Sequence, residues 1–143
     1  MNKFLLQNFD NNTLNNNLTK YNWPQLVLDL IRQKFNNVDR LENLHQTLSH
    51  QELAEVTALV QHEFLNETWS EMLDQFASEY IAPLLGHSKY LIKKQPTLNL
   101  VIPNQSKAGR RLPFHQGIFY DNGRGQGTIW MPLTECYDSN TMW

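Results

Sequence analysis

At 143 residues and 16.8 kDa, with 41% hydrophobic and 11% aromatic side chains, the chain holds material for one packed core. That excludes two ordinary domains and wholesale disorder. Twelve basic residues against fourteen acidic ones leave a net charge of −2, too little positive excess for a partner bound by phosphate neutralisation. No run reaches the roughly 20 apolar residues of a membrane span, and the apolar opening at Met1–Leu6 stops at Gln7 before Asn-rich sequence. The lone Cys136 allows no internal disulfide and no cysteine zinc cluster. The expectation is a cytoplasmic, soluble globular protein with neither nucleic acid nor membrane as partner.

The first forty-five residues are rich in Asn, as at Asn11–Asn12, Asn15–Asn17 and Asn36–Asn37. Asn side chains compete for backbone hydrogen bonds, so the stretch up to about Tyr21 reads as a loosely structured lead-in. Three helices follow. Pro24 suits a first helical turn, and Leu26, Leu30 and Ile31, with Val27 and Phe35 beside them, recur at helical spacing. Ser49 and Glu52 stand three apart as in a capping box, ahead of the stripe Leu53, Val56, Leu59 and Val60. Thr68 and Glu71 repeat that spacing before Met72, Leu73, Phe76, Tyr80 and Ile81, and Pro83 with Gly86 reads as the stop. All three stripes read as core.

After Gly86 the pattern changes to strands. Tyr90–Ile92, Leu98–Ile102 and Thr128–Met131 are short apolar runs, separated by a polar turn at 104–109 and by the Gly-rich loop 121–127. Helices first and strands second predict an α+β protein of one domain: residues 1–86 as a mainly helical support, residues 87–143 as the start of a sheet structure. Asn140–Trp143 reads as the opening of a further strand, so the expected domain is incomplete at its C-terminal end.

Most candidate reactive groups read as structural. His45, His50 and His62 are spaced by five and twelve, not by the four that places two ligands on one helix face. His87 reads as a turn residue. The Gly123, Gly125, Gly127 alternation leads into a strand-like run and not a helix, so it is not a dinucleotide fingerprint. Arg110 and Arg111 read as a solvated pair, Cys136 as an inert thiol, and Trp130 as a core side chain. His115 differs, because it ends the short apolar run Leu112–Phe114 beside the Gly-rich loop, where a scaffold can display a reactive group.

Leu112-Pro113-Phe114-His115-Gln116-Gly117, then Trp130-Met131-Pro132-Leu133, then Asn140-Thr141-Met142, resemble the ordered pattern L-P-x-H-x-D, W-x-P-L, N-T/S-M. That pattern belongs to the Fe(II)/2-oxoglutarate-dependent oxygenases, in particular the phytanoyl-CoA-dioxygenase-like enzymes, including those of sporadic carbohydrate-biosynthesis clusters. Gln95 and Asn99 are similar to the family's Gln-x-x-x-Asn on the preceding strand. The resemblance covers roughly residues 89–143. It implies a double-stranded β-helix, or cupin-like jelly roll, behind the helical layer. It also implies Fe(II) as metal, 2-oxoglutarate as co-substrate, and a small-molecule substrate such as a sugar or sugar nucleotide of surface-glycan biosynthesis.

By the same resemblance His115 is a metal ligand, and Gln95 and Asn99 contact co-substrate or substrate. The family's site uses two histidines and a carboxylate on one face of the iron. Its distal histidine and its 2-oxoglutarate arginine lie on strands further downstream than residue 143. Gly117 stands where the family has its Asp ligand. Three outcomes stay open: a carboxylate delivered from elsewhere, with Asp121 the nearest; a non-catalytic jelly-roll binding protein; and a halogenase with chloride in the vacated position.

Overall fold

The computed structural model describes residues 20–86, 89–93, 95–102 and 129–136. They fall in two units, Met1–Leu100 and Val101–Trp143. In the first, regular structure runs α1 (Trp23–Arg32), a 3-10 turn (Leu41–Asn43), α2 (Leu44–Thr47), α3 (His50–Glu63) and α4 (Glu67–Phe76). A π-helical turn (Ala77–Ile81) and α5 (Ala82–Leu85) follow. None of these helices is long and apolar enough to cross a membrane.

The apolar spacing of α1 builds the first side of the core: of the expected residues Val27, Ile31 and Phe35 are buried and Leu30 is half-buried. Trp23, Val27 and Ile31, four apart, are buried with Leu28, whereas Leu26 is exposed. Leu26 lies about 100° around the helix from Val27, which takes it out of the core. α1 packs on α3, whose Leu53, Val56 and Val60 are buried and whose Leu59 is half-buried. Past α1, Arg32 folds back: its Nε donates to Val38 O and its Nη2 to Asp39 O, both at 2.8 Å. That closes the loop and holds Val38, 2% exposed, in the core.

The α3 start is the expected capping box. Glu52 N–H donates to Ser49 Oγ at 3.3 Å, and Ser49 N–H donates to Glu52 Oε2 at 2.7 Å. Two of the helix's unpaired donors are thereby satisfied. The α4 start differs from the sequence reading. Asn66 is the cap, its Oδ1 accepting from Thr68 N–H at 3.1 Å, so Thr68 lies inside the first turn. Asn is as strong a cap as Ser or Thr, and here it comes two residues earlier.

Pro83 does not stop the last helix. It occupies the first turn of α5, where a missing N–H is tolerated, and the ladder in front of it widens to the π turn Ala77–Ile81. Gly86 ends α5 at φ 66°, a left-handed conformation that suits glycine. The apolar residues Met72, Leu73, Phe76, Tyr80 and Ile81 of this last helical run are half-buried, not core.

The lead-in reading extends too far at Lys20 and Tyr21. Both are helical, and Asn22, left-handed at φ 41°, turns the chain from them into α1. Tyr21 is 5% exposed. Its ring stacks on Trp23 at 5.8 Å and meets Phe76 and Tyr80 edge-on at 5.7 and 6.0 Å. Trp23 in turn lies against Trp69 of α4, with ring centroids 5.5 Å apart. Trp23 Nε1 is buried and has no acceptor among the described residues.

The runs Tyr90–Ile92, Leu98–Ile102 and Ile129–Met131 form no strand among the described residues. Along Leu98–Ile102 the exposure alternates with a period of two, Asn99 and Val101 out and Leu98, Leu100 and Ile102 half-buried. That is the side-chain period of a strand, but a strand also needs a ladder partner to satisfy its backbone. In the second unit Ile129 and Trp130 are exposed, so Trp130 is not the core residue the sequence suggested.

Candidate functional site

Of the four residues the sequence singles out, Gln95 and Asn99 are described; His115 and Asp121, like Gly117, lie outside the described residues. Gln95 is placed by a hydrogen-bond exchange with α3. Its Nε2 donates to the backbone O of Gln61 at 3.3 Å, and Gln61 Nε2 donates to Pro96 O at 2.9 Å. All three residues are half-buried. The local cause is the way α3 ends. Leu65 N–H turns to His62 O at 3.0 Å and Phe64 N–H to Val60 O at 3.0 Å, so no later backbone donor of the described turn takes the Gln61 carbonyl. A side-chain amide from thirty-four residues on supplies the missing donor.

Asn99 lies four residues further along, exposed, and its amide has no partner among the described residues. An amide of this kind can donate to a carboxylate and accept from a hydroxyl at once. The structure therefore separates the two residues of the Gln-x-x-x-Asn pair by surroundings. One has its donor engaged by the helix, and the other faces outward.

A second polar cluster has no counterpart in the sequence reading. Lys20 Nζ donates to both oxygens of Glu79, at 2.8 and 2.6 Å, and Tyr21 Oη donates to Oε2 at 3.0 Å. Hydrogen bonds from Lys20 and then Tyr21 hold the Glu79 carboxyl below its ordinary range, and Glu79 raises Lys20. Burial first, and then Glu79, raises the Tyr21 phenol. Glu79 belongs to the π turn, so this cluster ties Lys20 and Tyr21 to the widened part of the last helical run. The contacts span fifty-eight and fifty-nine residues of chain, and no local spacing could have signalled them.

His62 is exposed, its Nδ1 3.8 Å from Glu63, and His50 is exposed at the start of α3. Cys136 is exposed, with Sγ 3.6 Å from Thr134 O. An open depression of about 330 Å³ lies at the α3–α4 junction, lined by Phe64, Leu65, Glu67 and Ser70, none of which the sequence marks. Among the described residues no three His, Cys, Asp or Glu side chains converge to hold a metal ion. Compared with known proteins, the chain matches no family model, no curated protein and no solved structure.

Proposed function

We propose that the chain belongs to a non-haem Fe(II)/2-oxoglutarate-dependent dioxygenase acting on a small molecule, with a sugar or sugar nucleotide of surface-glycan biosynthesis as substrate class. The observation that carries this reading is the order of motifs in one chain: Gln95 and Asn99, then Leu112–His115, then Trp130–Leu133, then Asn140–Met142. The fold proposed with it is a double-stranded β-helix preceded by the helical layer α1–α5. The exposure alternation at Leu98–Ile102 supports that much of the pattern.

The donor chemistry fits a hard-to-borderline ferrous ion. His115 offers a neutral imidazole nitrogen and Asp121 a carboxylate, the two ligand types of the facial set. The iron, when bound, supplies O2 activation for oxidation of a substrate C–H bond. The chain's own contribution is binding and orientation. Asn99 offers an outward amide for the co-substrate or substrate, and Gln95 lies on the same segment, fastened to α3.

Gly117 favours a second reading, a non-catalytic jelly-roll binding protein, because glycine brings no ligand atom to the position the family gives to Asp. A halogenase is the third, with chloride in that place. The discriminating experiment is anaerobic addition of Fe(II) and 2-oxoglutarate to the protein expressed from its natural reading frame. A visible charge-transfer band that disappears in His115→Ala is the result expected for the oxygenase. Absence of the band, together with sugar binding that needs no metal, would establish the binding protein instead.

A further inference from the structure

The link between α3 and the segment carrying Asn99 is a built feature with two components that support each other. The Gln61 carbonyl, left over where α3 ends, accepts from Gln95 Nε2, and the Gln61 side chain donates to the carbonyl of the next residue, Pro96. Pro96 has no N–H and disfavours helical backbone at Gln95, so the bonded residues have reduced freedom of their own. Both bonds are partly shielded from water, and losing either leaves a half-buried carbonyl short of a donor. Lys89, Tyr90, Leu91 and Lys93, on the other side of the link, are exposed, Leu91 completely. No other hydrogen bond among the described residues fastens 89–100 to the helices.

We propose that Gln61 and Gln95 are positioning residues: their reciprocal clamp on the α3 C-terminus fixes the segment that presents Asn99, and Gln95 acts through that segment instead of contacting the ligand. The clamp stands on the hydrogen bonds alone; that Asn99 meets a ligand, and that the ligand is 2-oxoglutarate, rest on the oxygenase reading. A cationic donor can replace the amide at Gln95, because a helix C-terminus attracts positive charge and its carbonyls accept from lysine. A carboxylate cannot, since it has no donor and is repelled there.

The test uses the protein from its natural reading frame and two readouts. The first is tryptic cleavage after Lys93 and Lys94, immediately before the clamp. The second is 2-oxoglutarate affinity in the presence of Fe(II) without oxygen. Gln61→Ala and Gln95→Glu should each speed cleavage about fivefold, the effect of losing one net hydrogen bond on local opening. Gln95→Lys should restore the wild-type cleavage rate and keep the wild-type affinity, while Asn99→Ala should weaken affinity about tenfold and leave cleavage unchanged. Unchanged cleavage in Gln61→Ala would overturn the clamp. Gln95→Lys resisting trypsin like wild type yet losing the co-substrate as Asn99→Ala does would overturn the positioning role, because Gln95 would then be a contact. If wild type takes up no 2-oxoglutarate, the oxygenase reading fails, and the cleavage rates with their lysine rescue still decide the clamp.

Discussion

Single side chains in this protein act through two different economies, caps and burial. Ser49 has a small hydroxyl whose loss removes one bond of a reciprocal pair, so Ser49→Ala should cost about 1 kcal/mol in denaturant unfolding. Ile31 is 1% exposed between α1 and the rest of the core, and Ile31→Ala should cost about 2–5 kcal/mol by lost transfer energy and the cavity left behind. Leu26, five residues earlier on the same helix, is 36% exposed, and Leu26→Ala should stay within about 0.5 kcal/mol, as surface substitutions do. The Ile31 and Leu26 variants together test where the α1 stripe lies. Equal losses at the two positions would show that the buried face is not Trp23, Val27 and Ile31.

At the scale of elements, the π turn and the residues before α1 are joined by charge. A lowered Glu79 pKa means a contribution that is present above the ordinary glutamate range and lost as pH falls through the lowered value. A raised Lys20 pKa means a contribution present below the ordinary lysine range and lost as pH rises through the raised value, and the raised Tyr21 phenol has the same sign. The cluster is therefore complete across neutral pH and fails at both extremes. Lys20 and Glu79 are 51% and 41% exposed, so salt should weaken their attraction. Thermal melts of wild type and Glu79→Gln should differ at neutral pH and low salt. They should converge as the pH falls below the carboxylate range. A gap that persists in acid would mean that Glu79 acts by packing and not by charge. The Ser49–Glu52 box adds to the same acid limb, since the Ser49 N–H holds the Glu52 carboxyl low.

For the whole molecule, the oxygenase proposal turns on three positions within seven residues: His115, Gly117 and Asp121. If Asp121 is the carboxylate ligand, Asp121→Ala should abolish 2-oxoglutarate turnover, and Gly117→Asp in that background should restore part of it by returning a carboxylate to the family's position. If chloride takes that place, turnover should require chloride, tolerate Asp121→Ala and give a halogenated product. No decarboxylation in wild type or in Gly117→Asp would leave the non-catalytic reading as the better one. His115→Ala should lower Fe(II) affinity in every catalytic case, and Fe(II) titration of the variant measures it directly.

What could be read from the sequence was what depends on neighbours a turn away. The Ser49–Glu52 box, the Pro24 start of α1, the Gly86 stop and the α3 stripe rest on residues three or four apart, whose contacts follow from helix geometry alone. The motif that suggests iron and 2-oxoglutarate is also a matter of sequence order. Tertiary structure decided the rest. It determined which α1 stripe faces α3 and turned Tyr21 from lead-in to core by stacking it on Trp23 against the last helical run. It also gave Gln95 a carbonyl thirty-four residues away to bond. The physical reason is the same in each case. A residue's periodicity sets which directions it can point, but the burial and the partner that hold it there come from segments far along the chain, brought close only by folding.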